Sequence, residues 1–585
     1  MVKNSSSFLV ASLVLRILSL LLFAALWGVG PLREATLMDR SFSSTLLVGT
    51  AAILMFSTRR MAFSLMLTTA FYGLILLSSY LKFQYLTAPL MAPDLVYFVN
   101  KDLLDLFFHY PALLSTTIVV LIMVPITLFL AWRYDRPMTF PRWPHRTKQL
   151  IRYTGIFISF LVLSACAIPQ GPFSAVYEKG MWVTIIDKSF ISNFFTSFSK
   201  TQIIIPESPP NVDRTISWGE TNSSKNSEGC SDSSSCSSST EPRRYPDIVA
   251  VLEESTFDPR ILEICTLPVC KRSMFVPDRR TQASGYLNVH TWGGGTWTSE
   301  FALLTGLNNY TFGEAGLYAP YNLAPRVNYS LPKLLKSAGY RIVTLYPMSG
   351  NFINARNAYE NYGFDAFYQA TDYGLQWESP DQELFEIFNK VYEKEKKIAG
   401  DQPLFIFMLT LRQHGPHMKP LKTLPAPYNQ PLFPQLSDWL NLNLSNYLYR
   451  LEQSDIAMAA LEKKLLQRDQ STVLLHFGDH QPSFDGAIAN LKKNVPSQIK
   501  NSRYVTYYML KTNFILPKEY DYPVLDISFL GGLLIEVADV TQDKFFQANS
   551  LMRERCKGIY LDCPQKEILA SYHDYIFHQI TALRE

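Results

Sequence analysis

Five apolar runs crowd the start of the chain: Phe8–Val29, Ser44–Ser57, Met61–Leu81, Ala112–Trp132 and Ile151–Ile168. A bilayer span takes about 20 apolar residues, fewer where flanking side chains reach back to the interface. Successive runs of that kind are incompatible with one soluble globule. Hydrophobic residues at 48% and charged residues at 18% suit a chain that is part membrane and part soluble. The first run is too long for a cleaved leader, and more spans follow it. Basic residues fall in alternate loops. Lys3 precedes the first run, and Arg59 and Arg60 follow the second. Arg133, Arg136, Arg142, Arg146, Lys148 and Arg152 lie around the gap between the fourth and fifth. The positive-inside rule puts these loops in the cytoplasm and everything after the fifth span outside it.

Cysteine usage leads to the same side. Cys166 lies in an apolar run and reads as an inert thiol. The other six form close pairs, Cys230/Cys236, Cys265/Cys270 and Cys556/Cys563. Their spacing is wider than zinc sites use, so local disulfides in an oxidising compartment are expected. The expected location is a multi-pass protein of the inner (cytoplasmic) membrane with its second half on the periplasmic or extracellular side.

The expected domains are a membrane part over 1–170, a connector over 171–244 and a soluble α/β domain over 245–585. The loop Lys82–Pro111 is rich in Tyr and Phe and suggests an interfacial segment. Residues 173–205 read as helices along the membrane surface. Residues 220–241 are dominated by Ser and read as a flexible linker.

Beyond residue 245, short apolar runs alternate with helix-like stretches. Asp247–Leu252, Arg341–Tyr346, Pro403–Thr410 and Ser471–Phe477 read as buried strands. Leu331–Gly339 and Asp455–Leu466 read as helices. That alternation predicts a mostly parallel sheet, whose ligands bind outside the carboxyl ends of the strands. Polar residues cluster just past those ends: Glu253, Glu254 and Ser255; Arg412, His414 and His417; Asp479 and His480. Carboxylates, a hydroxyl and an imidazole at one edge make a divalent-metal site. Between them lies His290-Thr-Trp-Gly-Gly-Gly-Thr-Trp-Thr-Ser-Glu-Phe, with Thr296 behind three glycines. A helix starting there points its positive end at the turn, a setting for a Thr nucleophile on a phosphoryl group. The alternative is a glycine-rich loop with Thr296 or Thr298 as helix cap.

In this order the motifs resemble the lipoteichoic acid synthase-like phosphoglycerol transferases of the alkaline phosphatase/sulfatase superfamily. The resemblance rests on Leu252-Glu-Glu-Ser255, Gly-Gly-Gly-Thr-x-x-x-Glu-Phe around Thr296, Asn354–Phe364, Thr410-Leu-Arg-Gln-His414 and Gly478-Asp-His480. It implies five spans followed by an extracytoplasmic sulfatase-like domain with a mostly parallel sheet. Thr296 would be the nucleophile. Glu254, which directly precedes the Ser, would hold one divalent metal together with Asp479, His480 and Thr296. Manganese or magnesium is the family metal, with zinc the alternative. Arg356, His414 and His417 would face substrate, and His414 would also move a proton.

The donor would be a membrane phospholipid, phosphatidylglycerol or phosphatidylethanolamine. The acceptor would be a glycan or polyol phosphate, and nucleic acid is not an expected partner. The Cys/Ser-x-Pro-x-Arg motif of true sulfatases is absent, which disfavours sulfate-ester hydrolysis. The competing readings are a phosphoethanolamine transferase with the same site and a non-catalytic lipid sensor or scaffold.

Overall fold

The computed structural model describes residues 3–86, 89–97, 111–138, 143–178, 189–219, 244–516 and 518–584. They form two compact units, Met1–Gln202 and Ile203–Glu585.

Among its described residues the first unit contains five helices long and apolar enough to cross a membrane: Val10–Arg33, Leu37–Thr58, Met61–Phe83, Leu114–Tyr134 and His145–Ala167. The second is longer than its apolar run. Thr36 and Asp39 form a reciprocal capping box that starts the helix among polar residues. The loops segregate into two sets. Arg16 pairs with Asp135 at 3.0 Å, and Asp135 also accepts the Ala62 N–H at 2.7 Å. At the other ends, Glu34 accepts the N–H groups of Ile191 and Ser192 at 2.9 and 3.1 Å. There too the Ala92 N–H donates to Ser197 Oγ at 2.8 Å. Short helices occupy Ser174–Tyr177 and Phe190–Thr196. Residues 98–110 of the aromatic loop, the Ser-rich tract 220–241 and the Cys230/Cys236 pair within it lie outside the described residues.

The second unit is built on one eight-stranded sheet. Its strands are β1 (Asp247–Glu253), β2 (Thr281–Asn288), β3 (Arg341–Tyr346), β4 (Ala366–Gln369), β5 (Leu404–Leu409), β6 (Thr472–Gly478), β7 (Val505–Thr512) and β8 (Val524–Asp526). They lie side by side in the order β4-β3-β5-β1-β6-β7-β2-β8. Only β7 runs against the rest. β1, β5 and β6 are buried along their whole length, as continuous apolar strands covered on both faces must be. Ile248, Ala250 and Leu252 of β1 join the core that also holds Phe301, Leu303 and Leu304. With a side-chain period of two, Val249, Val251 and Glu253 face the other way. The Cys265–Cys270 and Cys556–Cys563 disulfides are formed, and Cys166 is a buried free thiol.

Residues 203–218 form a strap bound to the C-terminal segment. Trp218 is 3% exposed, meets the Tyr572 ring edge-on at 5.3 Å and donates its indole N–H to Ser571 Oγ at 3.0 Å. Asp574 accepts from Ser208 Oγ and from the Arg214 guanidinium. His578 Nε2 meets the Pro206 carbonyl at 2.8 Å, and the Ile204 N–H bonds the Phe312 carbonyl at 3.1 Å. Trp218→Ala is expected to lower stability by about 3–5 kcal/mol, as removal of a buried indole does. Thermal unfolding monitored by near-UV circular dichroism checks this.

Candidate active site at the sheet edge

The neighbours β1 and β6 end together, with Glu253 opposite Gly478, so the residues that follow each strand meet at once. The chain turns sharply at Ser255, which holds a φ of +49°. That unfavourable conformation for a residue with a Cβ marks a strained elbow. It lets the Ser255 N–H reach Asp479 Oδ1 at 2.7 Å, while Ser255 Oγ donates to Glu254 Oε1 at 3.0 Å. Strand parity separates the two glutamates. Glu254 joins the face that carries Thr296. Glu253 is buried on the reverse, with neither carboxylate oxygen hydrogen-bonded.

β2 brings in the nucleophile candidate. Gly293, Gly294 and Gly295 take φ values of 70°, 150° and 83°, a run of left-handed backbone that only glycine adopts freely. The helix Thr296–Thr305 begins at once, with Gly295 as a cap that makes no side-chain hydrogen bond. Thr296 is therefore not occupied as a cap. Its Oγ1 donates to Glu254 Oε2 at 2.8 Å and lies 3.5 Å from His480 Nε2. His480 Nε2 is 3.4 Å from Glu254 Oε1 and 3.3 Å from Asp479 Oδ2. The sequence thus places Thr296, Glu254, Asp479 and His480 apart, and the fold brings all four together.

The electrostatics mark a place for a cation. Burial raises Glu254, but the His480 charge and hydrogen bond outweigh it, with help from His414 and Thr296, and hold it at about 2. Burial and the Glu254 charge raise Asp479 well above the usual carboxylate range. Burial lowers His480, yet Asp479 and Glu254 outweigh it and raise the imidazole to about 9. A proton on His480 offsets two crowded carboxylates. Ligand atoms of Glu254, Asp479 and His480 lie within 4.8 Å of one another. His480 Nδ1 meets the Gln481 carbonyl at 3.0 Å, which turns Nε2 toward the carboxylates. The set fits a divalent metal.

The other predicted residues divide. His414 Nδ1 meets the Gly415 carbonyl at 2.8 Å, and its ring stands edge-on to Trp377 at 4.5 Å. It is near enough to act on Glu254 electrostatically. Arg356 lies past β3, after Ile353 and Asn354 at φ 53° and 57°. Its guanidinium covers the Phe367 ring at 4.6 Å and has no carboxylate partner among the described residues. His417 turns inward. It is buried between Tyr447 and Phe484, with Nε2 at 2.9 Å from the Gln413 carbonyl. Burial, with Arg450 nearby, lowers its pKa well below the usual value.

Sequence reasoning quoted Glu300 within its motif but gave it no role, and it missed Gln481. Burial raises Glu300 to about 7, the Glu254 charge adds to this, and the Tyr359 hydroxyl donates to it at 2.6 Å. Its position four residues after Thr296, on the same helical face, was the available signal. The Gln481 carbonyl takes the Gly293 N–H at 3.0 Å besides meeting His480, so it ties the glycine turn to the cluster.

Metal binding is expected to displace the His480 proton. The sign follows: affinity falls as pH drops below about 9. The loss is up to about tenfold per pH unit. Calorimetric titration of manganese at several pH values checks this, and Asp479→Asn should remove most of the binding.

Comparison with known proteins follows from this geometry. The sulfatase family model matches residues 246–540. An uncharacterized protein of Haemophilus influenzae is 31% identical over 349 residues, covering 58% of this chain and 62% of that one. A Rhizobium meliloti protein named for modification of cyclic beta-1,2-glucan is 26% identical over 255 residues, covering 42% of this chain and 37% of that one. The chain thus spans under two thirds of either relative. The phosphoglycerol transferase GacH of Streptococcus pyogenes, solved with sn-glycerol-1-phosphate, superposes with a TM-score of 0.45 at 18% identity. That match covers 58% of this chain and 90% of the other. The family model runs from the residue before β1 to beyond β8 and takes in every site residue described above, and the chain belongs to the sulfatase family.

Proposed function

We propose that this protein is a membrane-anchored, metal-dependent transferase. It moves a phosphoglycerol head group from a phospholipid to a glycan or polyol-phosphate acceptor through a phosphorylated Thr296. The reading is carried by one observation: the Thr296 hydroxyl, first in its helix, donates to buried Glu254 beside Asp479 and His480. Disulfides in the second unit support a periplasmic or extracellular site. The name of the Rhizobium relative accords with a glycan acceptor.

Glu254, Asp479 and His480, with Thr296 beside them, would hold the metal, manganese or magnesium. When bound, it supplies positive charge that favours the deprotonated hydroxyl. Glu254 Oε2 accepts the Thr296 proton in a hydrogen bond and orients the oxygen toward phosphorus. The Thr296 Oγ–P bond forms as the bond from phosphorus to the diacylglycerol oxygen breaks, and diacylglycerol leaves with a proton. Arg356 and the helix N-terminus offset charge on the phosphoryl oxygens. His414 takes the proton of the acceptor hydroxyl, whose oxygen then displaces Thr296, and Thr296 regains its proton. His417 packs against Tyr447 and Phe484 and holds the Gln413 carbonyl, so it shapes the turn that carries His414 rather than touching substrate.

The full chain in liposomes tests this, with manganese and phosphatidylglycerol carrying a fluorescent acyl chain. Metal-dependent release of labelled diacylglycerol is expected. Thr296→Ala should lower it by at least about 1,000-fold, while Thr296→Ser retains part of it. Arg356→Ala should cost about 100-fold in kcat/KM. Release only from phosphatidylethanolamine would move the assignment to phosphoethanolamine transfer. Release from neither lipid would favour the sensor or scaffold reading.

A further inference from the structure

A second group of cations stands at the same edge on the opposite flank of Thr296. Because β7 is reversed, its first residue lies beside the last residue of β2, with Val505 opposite Asn288. The Ser502–Tyr504 turn therefore reaches the edge where β1 and β6 end. Gln481 fixes it there by donating its side-chain amide to the carbonyls of Ser502 at 2.8 Å and Val505 at 2.6 Å. The same residue ties down Gly293 and His480, and the Val289 N–H bonds the Tyr504 carbonyl at 2.8 Å. Arg503 is thus tied through Gln481 to the turn that presents Thr296.

The Arg503 guanidinium lies over the Trp292 ring at 5.7 Å. Among the described residues no carboxylate pairs with it. Lys493 donates to the Ile488 carbonyl at 2.8 Å and likewise has no acidic partner there. Burial and the Arg503 charge push Lys493 down to about 8, so the two cations feel each other. Trp292 is 3% exposed, and among the described residues its indole N–H has no acceptor. Several other shielded cations in this unit are matched, Arg553 with Glu536, Lys511 with Glu462, Arg341 with Glu395 and Lys396 with Asp247, while Arg450 and Lys333 bond main-chain carbonyls. Two half-shielded cations and an unused N–H, with no acid beside them, are complementary to an anion. Arg in particular suits the oxygens of phosphate.

We propose that Arg503, Lys493 and Trp292 form an acceptor subsite that takes the phosphate of a phosphate-bearing glycan or polyol. Its role as an acceptor site rests on the transferase reading above; its binding of an anion does not. The donor has one phosphodiester, which belongs at Thr296 with Arg356 and His414 on the β3/β5 flank. A second anion site on the β7/β2 flank is superfluous for that donor. It suits an acceptor with a charge of its own.

The test has two arms, both on the full chain. In detergent with chelator present, glucose 6-phosphate is titrated by calorimetry, with glucose as control. Wild type should bind the phosphate and not the neutral sugar. Arg503→Ala and Lys493→Ala should each weaken binding by at least about tenfold, with Arg503→Lys in between. Thermal unfolding confirms that each variant is folded. No binding by wild type, or undiminished binding by a folded Arg503→Ala, overturns the site.

In liposomes with manganese and donor lipid, the ratio of transfer to hydrolysis is read with a phosphorylated and a neutral oligosaccharide. Arg503→Ala should shift the ratio toward water by at least about tenfold with the phosphorylated acceptor only. An equal shift with both, or none, overturns the acceptor role. Wild type that binds glucose 6-phosphate but releases no diacylglycerol from either lipid would refute the transferase reading and leave the anion site standing.

Discussion

Two carboxylates and an imidazole gathered at one buried point govern the rest of the second unit. Glu254 and Asp479 repel each other in a setting that shields charge poorly, and only a fixed frame keeps them together. The frame is the adjacent pair β1 and β6, buried on both faces. The backbone supplies the first compensation, since Asp479 Oδ1 accepts the N–H groups of Ser255 and His480, each at 2.7 Å. The Ser255 elbow exists to make one of those bonds. The glycine turn adds the second element by letting Thr296 approach at the head of its helix.

The two flanks of this centre share one device. On the β3/β5 side, His414 leans on Trp377 and Arg356 lies over Phe367. Both polar groups rest on aromatic rings rather than on acids, which leaves their charge or lone pairs available. On the β7 side, Arg503 over Trp292 repeats that pattern. Aromatic support holds a cation in place without neutralising it.

Much of this was legible in the chain because buried parallel strands advertise themselves. β1, β3, β5 and β6 are short apolar runs, and β1, β5 and β6 are each followed at once by a polar motif that lands on the sheet edge. β2 was not legible: Thr281–Asn288 mixes polar and apolar residues because it is only partly buried. The Arg503 flank depends on the reversed direction of β7, which pairing decides and local sequence does not. His417 was misleading for a related reason. His414 and His417 lie in one short stretch, yet the turn between them sends one ring to the edge and the other into the core beside Tyr447. Glu253 and Glu254 separate by strand parity alone.

The strap clasps the start of the second unit to its end. Trp218 donates to Ser571 and meets Tyr572, while Asp574 and His578 hold Ser208, Arg214 and Pro206. A change at one end of that clasp is therefore felt at the other: trimming the residues after 570 would take away every one of these anchors and leave the indole of Trp218 without its cover.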